Sequence, residues 1–200
     1  MYCLLLTYCT PDGEEMNLKD LLSEKRPAIL KKWLDVAVDT YPVETSFFLK
    51  KQKDQFANPV GHTLAEGTAA IFDALLCGAE AEKYAPFLDS IIRIKAVQEG
   101  APSRALVFIF LLKGIIREIL GQAVQEPPIA EELAELESSI DAIGLRAFDS
   151  FIKCREKIYE LKANETRNMT YRLLQKAQML CEIPGEQPGV GENSSAKPKP

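Results

Sequence analysis

The sequence is poor in the residues that most enzymes and metal sites need. It holds a single histidine, His62, among 200 residues. A multi-histidine metal site is therefore excluded, and a Ser-His-Asp or Cys-His enzyme would depend on that one side chain. No G-x-G-x-x-G or G-x-x-x-x-G-K stretch occurs, so the fingerprints of dinucleotide and nucleoside triphosphate binding are missing. We therefore expect no catalytic residues, no metal ligands and no cofactor.

Clustered positive charge and paired cysteines are also lacking. Lysine and arginine number 24 against 29 aspartate and glutamate, for a net charge of −5. Because binding to nucleic-acid phosphates needs a clustered positive surface, we expect no nucleic-acid partner. The cysteines are odd in number and none lies in a C-x-x-C pair, which favours reduced thiols in the cytoplasm over disulfides or a zinc site. They are Cys3, Cys9, Cys77, Cys154 and Cys181.

No segment is apolar over the length of a membrane span. The longest apolar stretch, Ala105–Leu120, contains Lys113, Arg117 and Glu118. A span needs about 20 predominantly apolar residues, so this stretch falls short in both length and composition. We interpret it as a central buried helix and expect no direct membrane insertion.

The first residues do not look like part of the domain. Met1–Leu6 is apolar, but no basic segment precedes it and it is too short for a signal peptide. Asn17 is a good helix N-cap and Asp20 places a carboxylate in the first turn, where it is favourable. We therefore expect the native start at Met16, with residues 1–15 a non-native or disordered extension.

What the sequence does contain is helical periodicity throughout. Ile29, Leu30, Trp33 and Ala37 recur at the spacing of one helix face, and later segments repeat this pattern. Hydrophobic residues make up 46% of the chain and charged residues 26%, which is a folded, globular composition. We predict an all-α bundle of about six to seven helices with a long C-terminal helix.

Prolines and asparagines divide this pattern into helices. Pro42 ends the first helix, because the residue before a proline avoids the α conformation. Asn58 is expected to cap the helix that Pro59 opens. Pro86 is expected to open another helix in the same way. The bundle then covers residues 16–128, and residues 183–200, rich in Gly, Pro, Ser and Lys, are expected to be a disordered tail.

The last helix is unusually long. From Ile129 the helical pattern continues to about Leu180 without a proline. We assign 129–182 to this helix, one part packing on the bundle and the other extending beyond it for dimerisation or signalling. Its apolar residues step by three or four, a heptad-like spacing that predicts pairing with a second copy of the chain. The residues of this predicted seam are Leu136, Ile140, Ile143, Ala147, Phe151, Cys154, Ile158 and Leu161.

Several strings together resemble a known family. They include the segment that ends at Trp33, the string Phe-Ala-Asn-Pro-Val-Gly-His at residues 56–62, and the segment around Phe87. From about Asn17 to Asn164 the chain resembles the RsbRD-type N-terminal domain of RsbT co-antagonist proteins. The motif positions are Trp33, Phe56, Asn58, Pro59, Gly61 and His62.

The resemblance implies a bacterial sensory domain for signal transduction in stress regulation. In stressosome proteins of this kind an all-α domain, globin-like in some relatives, dimerises and precedes a STAS output domain. A long helix connects the two parts. Here only about 20 residues follow the long helix, so we expect a free-standing, non-catalytic regulatory domain that acts as a homodimer on an unidentified partner protein.

Two alternatives stay open. In the first, the chain is an accessory or adaptor subunit of a larger complex, whether membrane-associated or not, and in the second it is a small-ligand sensor. In the sharpest form of the second alternative, His62 ligates a haem iron.

Overall fold

The computed structural model describes residues 17–52, 54–98 and 100–177. This part of the chain contains helices and no strand, which confirms the all-α fold class. Residues 1–15, predicted to be non-native or disordered, and the predicted tail at 183–200 lie outside the described residues. The α-helices are α1 (Leu18–Asp39), α2 (Val43–Lys51), α3 (Pro59–Leu76), α4 (Ala81–Gln98), α5 (Pro102–Leu120) and α6 (Pro127–Lys176), with a 3₁₀ turn at Gly121–Gln125.

Two helices begin where side-chain capping predicts. Asn17 Oδ1 accepts a 2.9 Å hydrogen bond from the backbone N–H of Asp20 at the start of α1. Asn58 does the same for the N–H of Gly61 at the start of α3, at 2.8 Å. Each cap satisfies a backbone donor that has no partner inside the helix.

The start of α4 differs from the prediction. We expected Pro86 to open this helix, but the helix begins at Ala81 and Pro86 lies inside it. The earlier start carries Tyr84 into the core, where it is buried. Burial of a large aromatic side chain stabilises the extra turn against the backbone hydrogen bond that proline cannot donate.

Trp33 lies at the centre of the core. It is buried on α1, and its indole Nε1 donates a 2.9 Å hydrogen bond to the carbonyl oxygen of Phe108 on α5. The two rings stack, with centroids 6.3 Å apart. Helix α1 also packs against α3, and α3 against α4. The core therefore forms around α1.

Helix α5 is buried on one side only. Phe108, Leu112 and Ile116 are in the core, but Val107, Phe110 and Leu111 are exposed. The prediction of a helix buried all round is thus wrong for one face. No helix among the described residues has the length and apolar character needed to cross a membrane.

The chain divides into two compact units within α6. The first unit ends at Ile158 and the second begins at Tyr159. In the second unit every described residue, from Tyr159 to Ala177, is exposed. We call the part of α6 from Tyr159 to Lys176 the extension.

Candidate interaction surfaces

The Phe-Ala-Asn-Pro-Val-Gly-His motif joins α2 to α3. The side chain of Asn58 is buried, and its Nδ2 donates to the carbonyl oxygens of Leu49 at 2.9 Å and Gln52 at 2.7 Å. Its Oδ1 accepts from the N–H of Gly61. One amide group thus makes hydrogen bonds to backbone carbonyl oxygens at the end of α2 and to a backbone N–H at the start of α3.

This arrangement explains why residue 61 is a glycine. A Cβ atom at this position would lie 2.2 Å from Asn58 Nδ2, so a side chain would displace the amide. Pro59 occupies the first turn of α3, where its missing N–H costs nothing. Phe56, in contrast, is exposed and takes no part in this arrangement. The motif therefore contributes mainly to the fold.

His62 lies on the surface of α3. Its Nε2 is 3.6 Å from Glu66 Oε2, one helical turn further along. A groove between α3 and α4 has a volume of about 250 Å³, below the range of roughly 300 to 1,000 Å³ for small-molecule sites. The groove is lined by Thr63, Glu66, Gly67, Pro86, Phe87 and Ser90, so His62 is not part of its wall. Haem ligation by His62 therefore stays a prediction.

The described residues bring together no metal-binding group. No cluster of three or more His, Cys, Asp or Glu side chains occurs among them. Cys77 is exposed and Cys154 is half-buried, and both are free thiols.

The structure divides the predicted seam between core and surface. Ile140, Ile143, Ala147 and Phe151 are buried in the bundle of their own chain, so they are not available to another molecule. The remaining members become more exposed along the helix. Leu136, Cys154 and Ile158 are half-buried, whereas Leu161, in the extension, is exposed.

Polar contacts hold the first part of α6 against α5. Lys113 Nζ lies 2.6 Å from Asp141 Oδ1. Arg117 donates two hydrogen bonds to Glu137, at 2.6 and 2.9 Å, and this pairing raises the pKa of the guanidinium. These contacts fix the two helices as antiparallel neighbours.

Further contacts hold α6 against α4. Ser150 Oγ donates to Asp89 Oδ1 at 2.8 Å. Nearer to the extension, Arg155 donates to the carbonyl oxygen of Ala96 at 3.1 Å. Arg155 therefore contacts α4 close to the point where the first unit ends.

Apolar side chains of α5 and α6 also form an exposed surface that sequence reasoning missed. The Phe110 ring covers Gly144 of α6 so closely that a Cβ there would lie 2.3 Å from Phe110 Cζ. The signal was an excess of apolar residues on α5, since one buried stripe accounts for only part of them. We call the surface the outer face; its residues are Val107, Phe110, Leu111 and Gly114 on α5 and Leu145 and Phe148 on α6.

The fold and these surfaces define an all-α domain with apolar helix faces left open to solvent. Residues 27–166 match the model of the RsbT co-antagonist protein rsbRD N-terminal domain, which is 140 of the 200 residues. The chain belongs to this family, whose members are sensory regulatory domains not known as enzymes. Comparisons with curated proteins and with solved structures gave no significant match.

Proposed function

We propose that the chain is a cytoplasmic, non-catalytic sensory domain that regulates a partner protein and acts as a homodimer through the extension. The observation that supports this proposal is the exposure of apolar side chains along the extension. Leu161, Met169 and Leu173 are all exposed there.

The extension needs a partner for physical reasons. Its 18 residues, Tyr159 to Lys176, would span about 27 Å at 1.5 Å per residue. Isolated helices of this length are marginally stable in water. Pairing with a second copy would bury part of this exposed apolar surface, such as Met169 and Leu173 one turn apart, and would stabilise the helix.

The proposed mechanism uses the contacts between α4 and α6. A signal that changes the packing of α4 would alter the bonds between Asp89 and Ser150 and between Ala96 and Arg155. The change would shift the splay or register of the paired extensions, a two-state element that both partners sense.

The test is the molar mass of the purified chain by size exclusion with light scattering. We expect a dimer for the wild type and a monomer for Leu161→Glu combined with Leu173→Glu. Arg167→Glu is the matched control, because it changes the net charge by the same amount within the same segment, and we expect it to remain dimeric.

Two results would contradict the proposal. A double variant that stays dimeric at wild-type affinity would exclude the extension as the pairing element. A wild type that is monomeric at all concentrations would exclude the homodimer and favour the accessory-subunit alternative. Circular dichroism of each variant shows whether the bundle stays folded.

A further inference from the structure

Gly114 stands apart from the other glycines inside described helices. At Gly61, Gly67 and Gly144 an added Cβ would lie 2.2 to 2.6 Å from a neighbouring side chain, so a larger residue there would displace that neighbour. At Gly114 nothing lies within 4 Å of the position that a Cβ would take. Since glycine is a weak helix former, the packing of this chain alone gives no reason for it in the middle of α5.

The surroundings of Gly114 are apolar and exposed. Val107, Phe110 and Leu111 precede it by seven, four and three residues, which places all four on one side of α5. The three side chains are 39%, 42% and 45% exposed. A glycine within such a stripe lets the backbone of another helix approach closely.

Helix α6 continues the same surface. Leu145 is 68% exposed and Phe148 is 44% exposed. Phe110 lies over Gly144, immediately before Leu145 in the chain, and so joins the two helices into one face. The outer face therefore presents the side chains of two antiparallel helices.

We propose that the outer face docks against the outer face of a second copy, with α5 of each copy approaching the other at Gly114. This inference rests on the homodimer of the proposed function, but it places a contact in the bundle rather than in the extension. A two-fold contact needs a surface that complements itself. The outer face has both parts, the exposed side chains of Val107 and Leu111 and, at Gly114, a position of the same stripe that carries no side chain.

The size of the surface fits a second copy. The five apolar residues of the outer face expose between 39% and 68% of their surface. If a large apolar residue has a full surface of about 200 Å², their exposed apolar area is roughly 480 Å². Interfaces are a little under 60% apolar, so this corresponds to roughly 800 Å² in all, which is what one partner contributes to a standard interface.

Two basic residues beside the outer face are already paired within the chain. Lys113 is bound to Asp141 at 2.6 Å, and Arg117 to Glu137 at 2.6 Å. These pairs lie along the contact of α5 with α6, so a partner would cover apolar side chains while each of these charges kept its counter-ion. Charged residues are depleted at interface centres, which fits the position of these two pairs beside the apolar side chains.

The test uses the full chain and measures the dimer dissociation constant by sedimentation equilibrium. Gly114→Leu adds a side chain that has free space in the single chain. At a protein concentration low enough to dissociate the dimer, we therefore expect the melting temperature of this variant to be no lower than that of the wild type. We expect the same variant to raise the dissociation constant at least tenfold. Leu145→Glu should give a monomer, whereas Val97→Glu, which changes an exposed apolar residue outside the outer face, should leave the dimer intact.

The results separate this inference from the proposed function. If Gly114→Leu and Leu145→Glu pair with wild-type affinity, the inference is overturned, and a monomeric Leu161→Glu, Leu173→Glu variant would then leave the proposed function standing. If the outer-face variants are monomeric and the extension variant stays dimeric, the inference holds and the extension is not the pairing element. A wild type that never dimerises overturns both.

Discussion

The side-chain oxygen of Asn58 accepts a 2.8 Å hydrogen bond from the backbone N–H of Gly61, and the space between the two residues admits no Cβ. The amide nitrogen of the same side chain donates to Leu49 and Gln52 at the end of α2. Three residues of the most distinctive motif, Asn58, Pro59 and Gly61, are therefore explained by the connection of two helices.

Replacing Asn58 should destabilise the domain. Asn58→Ala removes the cap and both donated hydrogen bonds, and we expect a loss of about 1 to 3 kcal/mol for the unsatisfied groups. Asn58→Asp keeps the acceptor for Gly61 but turns a carboxylate oxygen toward the carbonyl oxygens of Leu49 and Gln52, so we expect it to be no more stable than Asn58→Ala. Urea denaturation followed by circular dichroism measures both losses. Equal stability of Asn58→Ala and the wild type would show that the amide is not needed.

Capping signals and buried stripes could be read from the sequence because they are local. Asn17 and Asn58 cap the helices that their position predicts. The same helical spacing occurs on α3, where Leu64, Gly67 and Ile71 are buried. Such patterns depend on one helix and its nearest neighbours, so one sequence contains enough information to identify them.

The partner of an apolar face could not be read in the same way. Ile140 and Phe151 have the spacing of a pairing seam, yet they are buried in their own chain. Phe110 and Leu111 belong to a helix that looks wholly buried, yet they face solvent. Periodicity shows that a face is apolar, but long-range packing decides which molecule covers it.

Trp33→Phe should destabilise the domain by about 1 to 3 kcal/mol. The change removes the hydrogen bond from the indole to the carbonyl oxygen of Phe108 and creates a small cavity in the core. Because Trp33 is the single tryptophan, its fluorescence reports wild-type unfolding, and circular dichroism must be used for both proteins in the comparison. A variant as stable as the wild type would contradict the central role given to this residue.

The contacts of Asp39 predict that the free energy of unfolding depends slightly on pH in the acidic range. The hydrogen bond from Lys50, at 2.7 Å, lowers the pKa of Asp39 below its ordinary value of 3.8, and the bond from Ser46 acts in the same direction against the effect of burial. A carboxyl whose pKa is lowered by folding stabilises the folded chain at any pH above its pKa in the unfolded chain. This stabilisation is lost as the pH falls through the pKa of the carboxyl in the folded chain.

The comparison of Asp39→Asn with the wild type tests this expectation. The difference in unfolding free energy should be present at pH 6 and should shrink below about pH 4. Asp39 is largely exposed, so solvent screening keeps the difference small. Lys50→Met should abolish most of the pH dependence. A difference that grows on acidification would contradict the assignment.

Lys95 is fully buried and connects α4 to the end of α1. Its Nζ donates to the carbonyl oxygen of Ala37 at 3.0 Å and to Thr40 Oγ1, and it lies 4.1 Å from the centroid of the Tyr41 ring. A cation at the C-terminus of a helix is favourable, and the aromatic face adds to its stabilisation. The position therefore favours an ammonium group over an apolar side chain of equal length.

Two variants separate the charge of Lys95 from its bulk. Lys95→Met keeps the volume but removes the charged hydrogen bond to the Ala37 carbonyl, which keeps only the bond from Thr40 Oγ1, and we expect a loss of about 1 to 3 kcal/mol. Lys95→Ala should cost more, because it also leaves a cavity in the core. Unfolding in urea gives both values. If Lys95→Met were more stable than the wild type, the desolvation of the ammonium would outweigh its contacts, as it does for some buried ion pairs.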